Sequence, residues 1–134
     1  GGFSFGAWIG MQLLMRRPEI TGFLSVSPPA NMYDFSFLAP CPASGLITHG
    51  DKDDIVPQES VTELIAKLAK QKDVIIDFQV LKGATHFYNE HLEELEQTVT
   101  DYLDRRTAEI EAAFAAEIEE LEDVEEKNDE DDED

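Results

Sequence analysis

The feature that most constrains the fold is a G-x-S-x-G motif at the start of the chain, Gly2-Phe3-Ser4-Phe5-Gly6. It stands directly before a helical pattern. This is typical of a tight strand-to-helix turn that pushes the serine hydroxyl out of the backbone. The glycines suit such a turn because a Cβ at either position would collide with neighbouring backbone. Only Gly1 precedes the motif, so we expect the strand that leads into the turn to be missing.

The rest of the pattern alternates between helices and short apolar strands. The predicted elements are a helix over 5–17, a strand over 22–27, a strand over 45–49, a helix over 57–72, a strand over 74–81 and a long helix from about Asn89. Short buried strands separated by amphipathic helices predict an α/β fold with a doubly wound parallel sheet.

Length and composition limit what this sheet can be. The chain has 134 residues, whereas one-domain α/β folds routinely reach about 200–250 residues. We therefore expect the C-terminal half of an enzyme.

The single cysteine, Cys41, cannot form an internal disulfide, so nothing indicates an oxidising compartment. No apolar run approaches the roughly 18 residues of a membrane span. We expect a cytoplasmic protein that makes no contact with a membrane.

Charge divides the chain unevenly. The net charge is −20, and residues 104–134 hold 16 acidic and 3 basic residues, a net charge of −13. Neither part offers the basic face that nucleic acid requires, which argues against a nucleic-acid partner. We expect three regions: the α/β part over 1–106, a helical extension over 107–124 and a disordered acidic tail over 125–134.

Three residue types suited to acyl transfer each follow a strand or its expected position. A serine hydroxyl is a weak nucleophile that needs an adjacent base. We assign Ser4 as nucleophile, His86 as general base and then acid, and Asp53 as the group that fixes the imidazole tautomer. The carboxyl ends of parallel strands gather at one edge of the sheet, so the fold should bring the three residues together.

Each assignment has a structural alternative. Ser4 could instead cap the helix that follows it. The competitors for the other two roles are Asp51 and Asp54 in the aspartate turn, and His49 and His91 among the histidines. Turns gather aspartates for their own hydrogen bonds, and a histidine that ends a buried strand is often structural. The histidines are too scattered to predict a metal site, and no cofactor is implied.

Two further roles can be placed on the sequence. The backbone amide of Phe5, at the start of the helix, is the expected first oxyanion donor, and the second should lie outside this chain. A loop over 31–40 carries Tyr33, Phe35 and Phe37, which we predict to line a substrate pocket because such pockets are mostly apolar. The equally weighted alternative is that these rings pack in the core, against the last helix.

Together these motifs carry a family resemblance. Gly2–Gly6, His49–Pro57 and Gly83–Phe87 resemble the α/β-hydrolase superfamily over residues 1 to about 104. The likeness is strongest to small bacterial hydrolases related to dienelactone hydrolases and prolyl-oligopeptidase-type esterases. The resemblance implies the chain order Ser, Asp, His. It also maps the acid onto Asp53 and the base onto His86.

The function that follows is a serine hydrolase that cleaves carboxylic esters or related acyl bonds of a small molecule through an acyl-enzyme. Thioester and peptide bonds use the same residue types, so the bond is left open. The alternative is a non-catalytic scaffold that carries an acidic helical tail. The oligomeric state is not predicted.

Overall fold

The computed structural model describes residues 1–38, 40–70 and 73–132. Its elements, in chain order, are β1 (Gly2–Phe3), α1 (Phe5–Arg16), β2 (Gly22–Val26), a 3₁₀ turn (Ser36–Leu38), β3 (Ser44–Gly50), α2 (Gln58–Leu68), β4 (Ile76–Leu81) and α3 (Leu92–Asp132). The four strands are parallel and lie in the order β1-β2-β3-β4. The predicted α/β class with a parallel sheet is confirmed.

The register of the sheet places the candidate residues at one edge. Phe3 pairs with Val26, Val26 with Thr48, and Thr48 with Gln79, so all four strands run to the same end. Strand β3 is central and buried from Gly45 to Gly50, as a strand covered on both faces should be. The segments that leave the four strands therefore emerge side by side.

The main core lies between the sheet and the two shorter helices. It contains residues of α1, of α2, of the strands and of the loops on either side of β3, namely Met11, Leu14, Phe23, Phe35, Leu38, Cys41, Ala43, Ile47, Val56, Val61, Leu64 and Leu68. A smaller cluster of Leu81, Ala84 and Tyr88, with Val26 and Leu95 packed against it, lies under the segment that follows β4. Packing of these apolar faces is the main stabilisation of the sheet end that carries the site.

Two expectations about the chain ends differ from the structure. The strand that leads into the serine turn is present as the two residues of β1, which pair with β2. The acidic tail, expected to be disordered, instead continues α3 as helix through Asp132. The cause is local, because no Gly or Pro follows Gly83 to end the helix, and residues 108–126, which lead into the tail, are rich in Glu and Ala, which favour helix. Residues 133 and 134 of that tail lie outside the described residues.

Smaller differences concern helix ends. Helix α2 ends at Leu68 rather than at the predicted residue 72, and residues 71 and 72 lie outside the described residues. Helix α3 begins at Leu92, slightly after the predicted start. The chain divides into two compact units, Gly1–Val99 and Thr100–Asp134. Within the described ranges, none of the helices combines the length and the apolar character that a membrane span requires.

Candidate active site

Ser4 lies in the turn that the motif predicts. Its backbone angles are φ 53° and ψ −121°, in a region that residues with a Cβ rarely adopt. Its amide donates to Val26 O at 2.8 Å, which fixes the turn to the end of β2. A Cβ on Gly2 would collide with the backbone of Gly6, so the first glycine of the motif is required sterically. A Cβ on Gly6 would meet nothing within 4 Å, so no steric clash in the described chain requires glycine at that position.

The predicted Ser, His and Asp side chains form one chain of hydrogen bonds. Ser4 Oγ lies 2.9 Å from His86 Nε2, and His86 Nδ1 lies 2.7 Å from Asp53 Oδ2. These partners are 82 and 33 residues apart in sequence. With the ring proton on Nδ1, the imidazole donates to the carboxylate and Nε2 accepts from the serine hydroxyl. Ser4 makes no capping hydrogen bond with its side chain.

Local backbone holds the Asp53 carboxylate in place. Oδ1 accepts from the amides of Ile55 and Val56 at 2.9 and 2.8 Å, while Oδ2 is left for the histidine. The side chain is fully buried, which strengthens its interaction with the imidazole. Asp51 has a different partner, because its Oδ1 accepts from the Gly83 amide at 2.6 Å. Asp54 is exposed.

The segment that carries His86 is held by residues that sequence reasoning did not single out. The buried Ser27 hydroxyl donates to His86 O at 3.0 Å, and the Ser27 amide donates to Thr48 O at 2.9 Å. The buried Tyr88 hydroxyl donates to Thr48 Oγ1 at 3.1 Å, and burial raises the pKa of that phenol. Ser27 and Tyr88 both have positive φ, 51° and 56°. No local sequence pattern indicates this role for Ser27, because its partner lies 59 positions away.

His49 lies behind the acid as a structural histidine. Its side chain is fully buried, its Nε2–H donates to Val56 O at 2.9 Å, and its Nδ1 lies 3.8 Å from Asp53 Oδ2. Burial lowers the pKa of His49, and the nearby Asp53 charge opposes that shift only in part. The ring is therefore neutral near pH 7, with its unprotonated nitrogen facing the carboxylate.

Two groups of aromatic rings flank Ser4 along the chain. Phe3 lies 5.5 Å from the His86 ring and 5.9 Å from the Phe87 ring, measured between centroids. On the other side of the serine, Phe5 and Trp8 pack with Tyr33 at 5.3 and 4.8 Å. Of the three rings predicted to line a pocket, Tyr33 therefore shares a surface with the residue next to the candidate nucleophile.

The other two predicted pocket rings have different surroundings. Phe35 is 6% exposed and belongs to the main core, and Phe37 packs against that core. Their role in substrate binding stays a prediction, and their packing matches the core alternative, with α1, α2 and the strands as neighbours rather than the last helix.

Other polar and reactive groups define what the site can hold. The Phe5 amide is the first amide of helix α1. No helical carbonyl precedes it to accept its hydrogen bond, so the amide is available to an anion. Cys41 is buried, and burial raises the pKa of its thiol, so it lacks the character of a reactive thiolate. Among the residues that the structure describes, no three His, Cys, Asp or Glu side chains are grouped to bind a metal ion.

The sequence and the fold both match known proteins. Residues 3–109 match the Prolyl oligopeptidase family. An uncharacterised protein of Rickettsia prowazekii is 53% identical over 106 residues, which cover 76% of this chain and 44% of the relative.

Solved structures agree with this match. A candidate α/β hydrolase of unknown function from Agrobacterium tumefaciens superposes with a TM-score of 0.78 at 59% identity, covering 78% of this chain and 48% of that one. An α/β serine hydrolase homologue from Coxiella burnetii gives 0.68 at 31% identity, with 76% and 47% covered. The resemblance to the α/β-hydrolase superfamily is thus confirmed, and the chain spans about half the length of these relatives.

Proposed function

This chain belongs to the prolyl oligopeptidase family, and we propose that it carries the catalytic residues of a serine hydrolase. The proposed reaction is cleavage of a carboxylic ester or a related acyl bond through an acyl-enzyme. The observation that carries the proposal is the continuous hydrogen-bond chain from Asp53 through His86 to Ser4, on a serine held at positive φ. Strained backbone of this kind is concentrated at functional sites.

In the acylation step, Ser4 Oγ attacks the acyl carbon while His86 Nε2 takes the hydroxyl proton. The buried Asp53 carboxylate stabilises the imidazolium that forms, and the carbonyl oxygen becomes an anion that accepts from the Phe5 amide. The tetrahedral intermediate then collapses. The bond to the leaving group breaks, and His86 returns the proton to the departing oxygen.

Deacylation repeats the same steps with water. His86 Nε2 removes a proton from a water molecule as its oxygen attacks the acyl carbon of the Ser4 ester. The second tetrahedral intermediate expels Ser4 Oγ, which recovers the proton from the imidazolium. The carboxylic acid leaves and the three side chains are restored, so no cofactor or oxidant enters the balance.

The test is labelling of the purified protein with a fluorophosphonate, followed by mass spectrometry of the modified peptide. We expect the serine oxygen of Ser4 to displace fluoride, and Ser4→Ala to abolish labelling while the circular dichroism spectrum is unchanged. Turnover of p-nitrophenyl acetate should fall by roughly 10⁴–10⁶ in kcat. A variant that keeps a tenth of the turnover would refute the assignment, and a folded protein that does not label would favour the scaffold alternative.

A second candidate is cleavage of a peptide bond, which the name of the matched family favours. The same three residues would act, with an amine rather than an alcohol leaving. Comparison of kcat/KM for p-nitrophenyl esters and for peptide p-nitroanilides separates the two candidates. We expect the esters to be preferred; faster cleavage of the anilides would replace the first candidate by the second.

A further inference from the structure

The distal part of α3 carries apolar side chains that the fold of the family does not explain. Ile110, Phe114, Ile118, Leu121 and Val124, here called the apolar stripe, are between 41% and 66% exposed. The family match ends at residue 109, before the stripe begins. The stripe is therefore a feature of this chain beyond the matched region.

The spacing puts these residues on one side of the helix. Their separations of four, four, three and three residues confine them to an arc of roughly 120°, at about 100° per residue. The stripe extends for roughly 21 Å along the axis, since each residue adds about 1.5 Å. A face of this length matches about four turns of a second helix packed beside it.

Carboxylates border the apolar stripe on both sides. Glu111 and Glu122 lie along one border and Glu109 and Glu120 along the other, while Glu117 and Glu125 fall within the arc itself. Residues 107–126 include nine acidic residues and no lysine or arginine. Any occupant must therefore bury apolar side chains while it brings cations to both borders.

Charge decides among the possible occupants. A second copy of this helix would place nine more carboxylates beside the first nine, and like charges at such distances repel. An anionic lipid surface is disfavoured for the same reason, because helices that lie on it carry Lys and Arg around their apolar face. We propose that the apolar stripe docks a basic amphipathic helix of a partner protein, with Lys or Arg beside its own apolar face. This proposal is independent of the chemistry at Ser4.

The test uses a fluorescein-labelled model peptide of leucine and lysine, about 14 residues long, with all leucines on one helical face. Fluorescence anisotropy measures its binding to the purified protein at 50 and 300 mM NaCl. We expect saturable binding that weakens with salt, as attraction between exposed charges does. A scrambled peptide of the same composition should bind at least about tenfold more weakly, because its leucines cannot face the stripe together.

Matched variants separate the contribution of the apolar stripe to binding from the contribution of charge. Phe114→Ser with Leu121→Ser should weaken binding of the peptide at least about tenfold, because both side chains lose their apolar contact. Ala112→Ser with Ala115→Ser, on the opposite side of the helix, should leave binding unchanged. Circular dichroism checks that both variants keep the helix, and urea unfolding checks that the rest of the chain keeps its stability.

Four outcomes would overturn the proposal. Equal binding of the scrambled peptide, or unchanged binding by the Phe114 and Leu121 variant, would reduce the interaction to charge alone. Sedimentation that shows a dimer lost in that variant would make a second copy the occupant. Preferential binding of the protein to neutral phosphatidylcholine vesicles, again dependent on the stripe, would make a lipid surface the occupant.

Discussion

The sheet edge that holds Ser4 and the distal part of α3 are built from different kinds of contact. At the sheet edge, hydrogen bonds join residues 82, 59 and 33 positions apart. In α3, the ion pair of Arg106 with Glu109 joins residues three positions apart. The first region depends on the whole topology of the parallel sheet, whereas the second depends on little more than helix propensity.

This difference predicts in which region a substitution lowers stability or activity most. Substitution of a buried side chain that has a distant partner removes packing and leaves the partner without its hydrogen bond. The free energy of unfolding therefore falls for both reasons. A side chain on an exposed helix face loses little, because water replaces what it contacted. Matched substitutions in the two regions therefore test the comparison directly, from the largest effect to the smallest.

The largest contrast is expected within the aspartate turn itself. Asp53→Asn should lower kcat on p-nitrophenyl esters by roughly 10⁴, because an amide cannot hold the protonated Nδ1 of His86 as the carboxylate does. Steady-state kinetics with matched protein concentrations measure the loss.

Asp51→Asn is the control for that experiment. Asparagine keeps an oxygen that can accept from the Gly83 amide, so activity should stay within about tenfold of the wild type. If Asp51→Asn proves as damaging as Asp53→Asn, the acid has been assigned to the wrong residue of the turn.

A matched pair of phenylalanines compares the two regions in stability. Phe35 is 6% exposed in the main core, and Phe114 is 63% exposed on α3. Phe35→Ala should lower the free energy of unfolding in urea by about 3–5 kcal/mol, because it leaves a cavity. Phe114→Ala should change it by about 0.5 kcal/mol or less. Equal losses would mean that Phe114 is not the exposed side chain that its 63% exposure indicates.

The same contrast explains how far sequence reasoning could go. The G-x-S-x-G motif, the aspartate turn and His86 each follow a strand, so the order of elements was enough to bring Ser4, Asp53 and His86 to one edge. The geometry resolves what the pattern left open: Asp53 bonds the imidazole, while Asp51 bonds the Gly83 amide.

Positions whose role is set by a distant partner could not be found in this way. Nothing in the local sequence indicates that Ser27 bonds the carbonyl of His86, or that Phe35 enters the core while Tyr33 stays beside Phe5. The prediction for the tail differs from the structure for a local reason instead. Its composition predicted disorder, but no Gly or Pro interrupts α3, which continues as helix through Asp132.

A third prediction compares a buried hydroxyl with an exposed one. Ser27→Ala removes the donor to His86 O and leaves a buried carbonyl unpaired, which should cost about 1–3 kcal/mol in urea unfolding. Thr62→Ala removes an exposed hydroxyl that donates to Gln58 O, and should change stability by about 0.5 kcal/mol or less. A Ser27→Ala variant as stable as Thr62→Ala would show that the hydroxyl does not hold the His86 segment.

The smallest effect concerns pH, and it isolates the first region because α3 contains no histidine. Burial lowers the pKa of His49 in the folded state below its unfolded value of about 6.5. Below that pH the unfolded chain binds a proton that the folded chain excludes, so stability falls on acidification and is fully present above about pH 6.5.

The slope of stability against pH that His49 contributes is at most about 1.4 kcal/mol per pH unit. His49→Gln keeps a donor for Val56 O but cannot titrate, so its stability loss between pH 7.5 and 5.5 should be smaller than that of the wild type. Urea unfolding at pH 7.5, 6.5 and 5.5 measures both slopes, and parallel curves for variant and wild type would show that His49 is not held neutral.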